Sequence, residues 1–502
     1  MVNLSYIVDK WKLSSQDRWE DKNVIGVSEN SKKVNENFIF VAIEGDNANG
    51  YRYIPEALKR GAVAIVGEKD LPLDISREVK KYGVPYFKSN EPRRFLAELA
   101  HLIAGEPTNN ITIIGITGTN GKTTITYMVE NILREAGIKV GRFGTLGYKL
   151  EDEYIEAIHT TPFAEDLVEL FLRAKRKRIS HIVMEVSSHS LAQHRVAGIK
   201  FDVCGFTNLT QDHLDFHKTM EDYLKAKLKL FEMTANSGGV GIVNISDPYA
   251  RFFLSVPGLK FFTYGENGDF YPTEVKLTTN GTHFFVNYED AKCEVEMSLI
   301  GRHNVLNALC ACAIVRALNI EWEYIKRGLE KLSRVPGRFE IVDEPADFTV
   351  VIDYAHTEDG LKNALTTARE LTKSRIITVF GCGGNRDRTK RPKMGYTAGN
   401  LSDIVVITSD NPRNEEPMEI IKEIEEGVLK SGKVKDKDYF VIEDRKEAIR
   451  FAIELADKDD MVIIAGKGHE PYQIVKDKKI PFDDREVARH YLKERICGGS
   501  IQ

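Results

Sequence analysis

The chain has 502 residues, too many for one ordinary core, so two to four domains are expected. It is 42% hydrophobic and 29% charged with a net charge of −5, the composition of a globular protein without the basic surplus of a nucleic-acid binder. The N-terminus MVNLSYIVDKWKL lacks a signal-peptide core, no run approaches the ~20 apolar residues of a membrane span, and the six cysteines form no C-x-x-C pair. A monomer in a reducing cytoplasm is expected, with no nucleic-acid or membrane partner.

The predicted elements are those of an α/β protein with three domains. In the first block, residues 1–108, strand-like runs at 37–43 and 62–66 flank a helical stretch at 55–60. Glu106-Pro107 then breaks the chain. The second block, 109–336, opens with an apolar strand at 111–116, the glycine-rich stretch GITGTNGKTT at 115–124, and a helical pattern at 125–134. Strand, glycine loop, Lys, hydroxyl, helix is the layout of a phosphate-binding loop. Gly118 and Gly121 let the main chain approach an anion, Lys122 supplies a positive charge, and the Thr123 hydroxyl suits Mg²⁺. The loop departs from the strict motif because Ile116 stands where its first glycine belongs. Strands at 182–186 and 201–206 follow, and an apolar helix at 306–318 places Cys310 and Cys312 in a core. The basic run 173–178 reads as a solvated helix end. The third block, 337–502, has apolar strands at 349–352, 376–380, 404–408, 439–442 and 461–465, separated by helical patterns. That alternation predicts a Rossmann-like sheet.

Polar residues gather after the strands, where α/β sheets carry their sites. Taken singly, Glu185 reads as a local cap or pair and His213 as a turn residue; brought near Thr123, they could complete a metal site. Arg338, at the junction of the second and third blocks, could reach a γ-phosphate or stand as a surface turn arginine. In the third block, Arg386, Asp410, Arg413 and Glu470 combine guanidinium and carboxylate groups. Such a set suits a zwitterion, which points to an amino acid beside a nucleotide.

These residues resemble the Mur ligase family of peptidoglycan synthesis over nearly the whole chain. The matching motifs are Gly118–Thr124, Glu185-Val-Ser-Ser-His189, Thr207-Asn-Leu209, Asp212-His213, Gly301-x-His-Asn-x-x-Asn307, Pro336-Gly-Arg338 and Asp353-Tyr-Ala-His356. The resemblance implies an N-terminal UDP-binding domain, a central ATP-binding domain and a C-terminal amino-acid-binding domain. It implies an ATP-dependent amide-bond-forming ligase that works through an acyl phosphate and serves cell-wall synthesis during growth and division.

By the same resemblance, Lys122, Glu185, His213 and Lys227 are catalytic, and Thr123, Glu185, His213 and Lys227 hold Mg²⁺. Lys227 aligns with a lysine that the family carboxylates at N6 to a carbamate. Gly118, Thr119, Asn120, Gly121, Lys122, Thr123, Thr124, Asn304, Arg338, Asp353 and His356 fall around ATP. Thr160, Thr161, Ser187, Gln193 and Arg195 match contacts to the UDP-sugar peptide. Ser31 stands in a D-S-R motif degraded here to Asn30-Ser31-Lys32, and Asp46, Asn47 and Ala48 fall on the uridine loop. Arg386, Asp410, Asn411, Pro412, Arg413, Gly466 and Glu470 fall around the incoming amino acid. Asp410-Asn-Pro-Arg413 resembles the branch that adds meso-diaminopimelate to UDP-MurNAc-L-Ala-D-Glu. Physics agrees, since diaminopimelate has a distal carboxylate that Arg413 can pair with and lysine has none. The alternatives are the same reaction with L-lysine or a folylpolyglutamate-synthase-like ligase. A phosphate-loop motor or a non-catalytic nucleotide binder would leave the charged loops of the third block unexplained.

Overall fold

The computed structural model describes residues 2–45 and 49–499. The positions expected to form the uridine loop, Asp46, Asn47 and Ala48, lie outside the described residues. The chain forms two compact units, one of residues 1–115 with 139–202 and the other of 116–138 with 203–502.

In the first unit, Gly26–Ser28, Phe38–Ala42, Ala62–Gly67 and Tyr86–Lys88 form a four-stranded parallel sheet. One face packs Val41 and Val66 against Leu4, Phe95 and Leu99, and the other packs Phe40 and Ile65 against Ile54, Leu58 and Val79. Burial on both faces is why Ala62–Gly67 reads as continuously apolar. Further along, Val140–Gly144, Gly147–Leu150 and Glu153–Ile155 form an antiparallel ribbon, and His181–Glu185 pairs in parallel with Val140–Gly144. The basic end of helix Ala164–Arg176 is solvated and paired, with Arg173 on Glu153 and Glu169.

In the second unit, helix Lys122–Glu135 begins earlier than its apolar pattern, because Gly121 turns left-handed (φ 88°) directly before it. Strands Val203–Phe206, Val240–Asn244 and Lys260–Tyr264 run parallel. A three-stranded antiparallel sheet, Tyr271–Thr278, Gly281–Tyr288 and Ala291–Met297, was not anticipated from the sequence. Helix Arg302–Ala317 buries Cys310 and Cys312 completely, as expected of core residues. The described cysteines are all free.

The third block forms a six-stranded sheet in the order Glu340–Ile341, Thr349–Asp353, Met461–Ala465, Ile376–Phe380, Ile404–Ile407, Tyr439–Val441. All pairings but the first are parallel. Its apolar strands are buried on both faces by helices such as Glu358–Leu371 and Pro417–Lys430 on one side and Arg445–Leu455 on the other. The polar loops predicted after strands 349–353, 376–380, 404–407 and 461–465 therefore share the C-terminal edge of one sheet. Among the described residues, no helix is long and apolar enough to cross a membrane.

Candidate functional site

The phosphate loop belongs to the second unit, and its main chain is packed against the strand end at Thr207. A Cβ at Gly118 (φ 147°) would fall 1.7 Å from Thr207 Oγ1, and one at Gly121 would fall 2.5 Å from Asn307 Oδ1. Only glycine fits at either position. Thr119 N–H donates to Asn208 O at 2.9 Å and Asn120 N–H to Asn208 Oδ1 at 2.9 Å. Thr207 Oγ1 donates to Asn120 O at 2.6 Å. The helix that follows starts without a side-chain cap, so its first N–H groups form an anion-binding end.

Two lysines converge on the loop. Lys122 Nζ donates to Gly118 O at 2.9 Å and to Thr119 O at 2.8 Å, while Lys227 Nζ donates to Gly118 O at 2.7 Å. Lys227 is 1% exposed on helix Met220–Asn236, and its ammonium lies 4.4 Å from the Tyr223 ring centre. Burial and the nearby charge of Lys122 hold the Lys227 pKa well below that of an ordinary lysine. Asn307 donates to Asn304 Oδ1 at 3.0 Å, and Asn304 to Ile300 O at 2.8 Å, which fixes both amides at the start of their helix.

Arg338 reaches the loop, its Nη2 3.2 Å from Thr123 Oγ1. Its guanidinium stacks 4.4 Å from the Tyr354 ring centre, and its Nη1 is buried without a partner among the described residues. Asp353 orders the loop that carries Arg338: its carboxylate accepts from Phe339 N–H at 2.7 Å and Ala355 N–H at 2.8 Å. Burial raises its pKa against those two donors. His356 Nδ1–H donates to Tyr354 O at 2.9 Å, and its Nε2 lies 3.7 Å from Asp212. Asp212 also faces His213 at 3.3 Å and the buried Lys390 at 3.6 Å. Burial alone would raise its pKa, but His213, Lys390 and His356 together hold it well below the carboxylate range. His213 has left-handed φ (57°) and caps the short helix Leu214–His217 rather than lying on its face.

The charged loops of the third block meet at the sheet edge. Arg413 is half-buried with φ 51°, and its Nη1 donates to Gly384 O at 2.8 Å. It forms no ion pair among the described residues. Burial lowers its pKa and so does the charge of Arg386, whose own nearest carboxylate is Asp215 at 4.0 Å. Asn411 donates to Glu470 Oε2 at 2.8 Å, and Asp410 and Glu470 both face the fully buried Lys467. Gly466 turns with φ 113°, placing the loop beside Asp410. Pro412 is buried between Asn411 and Arg413. By contrast Arg391 is fully buried and doubly paired, 2.9 Å from both Glu415 and Glu423.

The first unit holds the remaining candidates. Glu185 accepts from Thr145 N–H at 2.9 Å and from Thr145 Oγ1 at 3.1 Å, and Thr145 Oγ1 is 3.1 Å from Thr160 Oγ1. Thr161 Oγ1 donates to Glu185 O at 2.8 Å and accepts from Ser187 N–H at 3.0 Å, which ties the loop before helix Ala164–Arg176 to the end of strand His181–Glu185. Arg195 donates to Thr161 O at 3.1 Å and to Gln193 Oε1 at 2.6 Å, with its plane 4.0 Å from the Phe163 ring centre. Ser31 lies apart from that cluster, buried, and donates to Glu56 Oε2 at 2.6 Å. Among the described residues, no group of three or more His, Cys, Asp or Glu side chains could hold a metal ion.

Three family models match in order along the chain. They are the Mur ligase family catalytic domain at 23–103, the Mur ligase middle domain at 116–315, and the Mur ligase glutamate ligase domain at 337–468. A UDP-N-acetylmuramoyl-L-alanyl-D-glutamate–2,6-diaminopimelate ligase of Caldanaerobacter subterraneus subsp. tengcongensis is 44% identical, covering 94% of this chain and 95% of the relative. The chain belongs to the Mur ligase family. A ligase of the same description, numbered 1, from Clostridium acetobutylicum is 45% identical over 92% of this chain and 94% of its own length. A solved structure of a UDP-N-acetylmuramoyl-L-alanyl-D-glutamate–2,6-diaminopimelate ligase matches with a TM-score of 0.68 at 29% identity, covering 98% and 99% of the two chains.

Within this Mur ligase, the middle-domain match contains the phosphate loop, Glu185, His213 and Lys227, and the glutamate-ligase match contains Arg338, Arg413 and Gly466 but stops short of Glu470. Sequence reasoning missed Lys467, Lys390 and Asp212 as members of the site. Lys467 stands inside the Gly466–Glu470 loop already singled out, so its position was the available signal. Nothing in the sequence marked Lys390, which becomes relevant only because the fold buries it against Asp212.

Proposed function

We propose that this chain is an ATP-dependent ligase that joins meso-diaminopimelate to the D-Glu γ-carboxylate of UDP-MurNAc-L-Ala-D-Glu through an acyl phosphate, as a step of peptidoglycan synthesis in the cytoplasm. Arg413 carries the reading: a half-buried guanidinium beside Asp410, Asn411 and Glu470 that forms no ion pair of its own among the described residues. A buried cation without a carboxylate is costly to keep, and a ligand carboxylate removes the cost. Diaminopimelate supplies that carboxylate together with an ammonium suited to Asp410 and Glu470. The relatives' shared description points the same way.

ATP sits, in this reading, on Gly118, Thr119, Asn120, Gly121, Lys122, Thr123 and Thr124, with Asn304, Arg338, Asp353 and His356 around it. The partnerless Nη1 of Arg338 favours an anion there. Magnesium held with the nucleotide keeps most of its waters and needs only one or two protein oxygens, so Thr123 and Glu185 fit its donor class, with His213 and Lys227 nearer the edge of it. A metal bound there would supply positive charge to offset that of the transferred phosphoryl group. Lys227 is poised for N6-carboxylation because its lowered pKa favours the neutral amine, whose nitrogen adds to CO₂ and loses a proton. The carbamate so formed is an oxygen donor, which an ammonium is not.

Lys122 stabilises the moving phosphoryl group, and the amine of the amino acid then displaces phosphate from the acyl phosphate. Thr160, Thr161, Ser187, Gln193 and Arg195 would hold the UDP-sugar peptide, with Ser31 and residues 46–48 on the uridine side. A cavity of about 180 Å³ lined by Ile43, Glu44, Tyr51, Lys69, Arg93 and His194 supports a ligand near that end of the first unit. The proposed domains are 1–108, 109–336 and 337–502, in a monomer whose partners are small molecules.

The test is ATP-dependent phosphate release with UDP-MurNAc-L-Ala-D-Glu and either meso-diaminopimelate or L-lysine, with mass analysis of the product. Release with diaminopimelate and formation of the UDP-tripeptide is expected. Release only with lysine would overturn the specificity, and release with neither would overturn the reaction.

A further inference from the structure

Lys467 lies in the loop after strand Met461–Ala465 and is fully buried, yet it touches none of the groups assigned above to ATP. Its ammonium faces three side-chain oxygens: Asn411 Oδ1 at 3.0 Å, Glu470 Oε2 at 3.4 Å and Asp410 Oδ1 at 3.5 Å. An ammonium has three donors and no acceptor, so this set uses its whole capacity. The orientation of the Asn411 amide follows. Its Oδ1 must accept, because Lys467 and the Ile474 N–H at 2.9 Å only donate. Its Nδ2 is thereby turned to Glu470 Oε2 at 2.8 Å.

The same knot sets the main chain of Arg413. The hairpin Tyr472–Val475 with Lys478–Pro481 is stitched to the Asp410–Arg413 loop at four points. Ile474 N–H donates to Asn411 Oδ1, Gln473 Nε2 donates to Asp410 O at 2.9 Å, Arg413 N–H donates to Ile474 O at 3.0 Å, and Lys476 N–H donates to Arg413 O at 2.7 Å. Arg413 is held by these bonds in the left-handed region, at φ 51°, that a long side chain rarely occupies unaided. That conformation directs the guanidinium toward Gly384 and Arg386 rather than toward a protein carboxylate.

We propose that Lys467 is a positioning residue for amino-acid selection: by pinning Asn411 and drawing Asp410 and Glu470 together, it holds the loop–hairpin pair in the one register that aims Arg413 at the distal carboxylate of the incoming amino acid. This rests on the diaminopimelate reading above and extends it from the groups that touch the substrate to the buried charge that arranges them. Lys467 offsets one of the two charges of Asp410 and Glu470, so that the three groups together keep one negative charge for the substrate ammonium.

The experiment is steady-state kinetics of the full chain with Lys467→Met and Gln473→Ala. Loss of positioning weakens ground state and transition state alike, so it raises KM without lowering kcat. Lys467→Met should raise KM for diaminopimelate at least tenfold and lower the diaminopimelate-to-lysine preference by a similar factor. KM for ATP and for the UDP-dipeptide, and kcat at saturating diaminopimelate, should stay within threefold of wild type. Gln473→Ala removes one stitch and should move the same KM about threefold. If Lys467→Met fails to fold, as judged by circular dichroism, the Gln473→Ala result decides. An unchanged KM for diaminopimelate in the folded variants, or an equal rise in all three KM values, would overturn the proposal. A wild-type protein that makes no UDP-tripeptide would instead overturn the underlying function, and the proposal with it.

Discussion

The phosphate loop and the Asp410–Arg413 pocket are built on different principles. The phosphate loop is one continuous stretch, and its fit is a property of the main chain: glycines at 118 and 121 with no room for a Cβ, and amides braced by Asn208. The pocket is made of side chains from loops distant in sequence, held by a buried lysine, an asparagine and a hairpin. The first arrangement suits a ligand common to many enzymes, because every residue has a main chain. The second suits a choice between similar amino acids, because charges can be added or withheld one at a time. Two arginines show the point. Arg391 is fully buried and paired with two glutamates, so it is a structural element, whereas Arg413 forms no ion pair among the described residues and so has its charge to offer.

The contrast can be broken most directly at the phosphate loop. Lys122→Ala should lower kcat on the order of 10²- to 10³-fold with every amino acid offered. A loss confined to diaminopimelate would erase the distinction between the two regions. The next effect is on stability. Arg391→Met removes the buried partner shared by Glu415 and Glu423, leaving them Asn385 N–H and Arg388, and should cost about 3 kcal/mol in denaturant unfolding, with KM for diaminopimelate little changed in the protein that remains folded. Arg413→Met should do the reverse: a folded state no less stable, because an uncompensated half-buried cation is removed, and kcat/KM for diaminopimelate down roughly 10- to 100-fold, or about 1.4–3 kcal/mol. Equal use of diaminopimelate by wild type and Arg413→Met would remove Arg413 from recognition.

A pH baseline away from both regions sharpens these comparisons. His101, on helix Pro92–Ile103 of the first unit, is buried with neither ring nitrogen partnered among the described residues, and burial pushes its pKa down to about 4. As pH falls below the ordinary value near 6.5, the unfolded chain takes up a proton that the folded state refuses until about pH 4. Stability is therefore full above that range and declines through it, by about 2 kcal/mol at pH 5. His101→Phe should flatten the decline in urea melts between pH 7 and pH 5. An identical slope in the variant would assign the acid sensitivity elsewhere.

Much of the fold was legible because α/β strands buried on both faces are continuous apolar runs. Thr349–Asp353, Ile376–Phe380 and Met461–Ala465 were found within a residue of their observed limits. The antiparallel sheet Tyr271–Met297 was missed: its outer strands are half-exposed with apolar and charged residues interleaved, and its buried middle strand carries only the short apolar run Phe284–Val286 among Thr282, His283 and Asn287. Helix Lys122–Glu135 was placed late, because its first turn carries Lys122, Thr123 and Thr124, which serve the loop rather than an apolar stripe. In the site, Asp410, Asn411, Arg413 and Glu470 were visible as polar residues after strands, but their division of labour was not.

The sequence by itself determined the class of protein, the glycine-rich loop between strand and helix, and the family, because those rest on contiguous motifs and on the local periodicity of buried strands. Only the tertiary structure decided which charges are compensated. The fold buries Lys467 and Arg391 among oxygens and surrounds Asp212 with His213, His356 and Lys390. Electrostatic energy depends on distance and burial rather than on order along the chain, so the partners of a charge are settled only when distant segments meet.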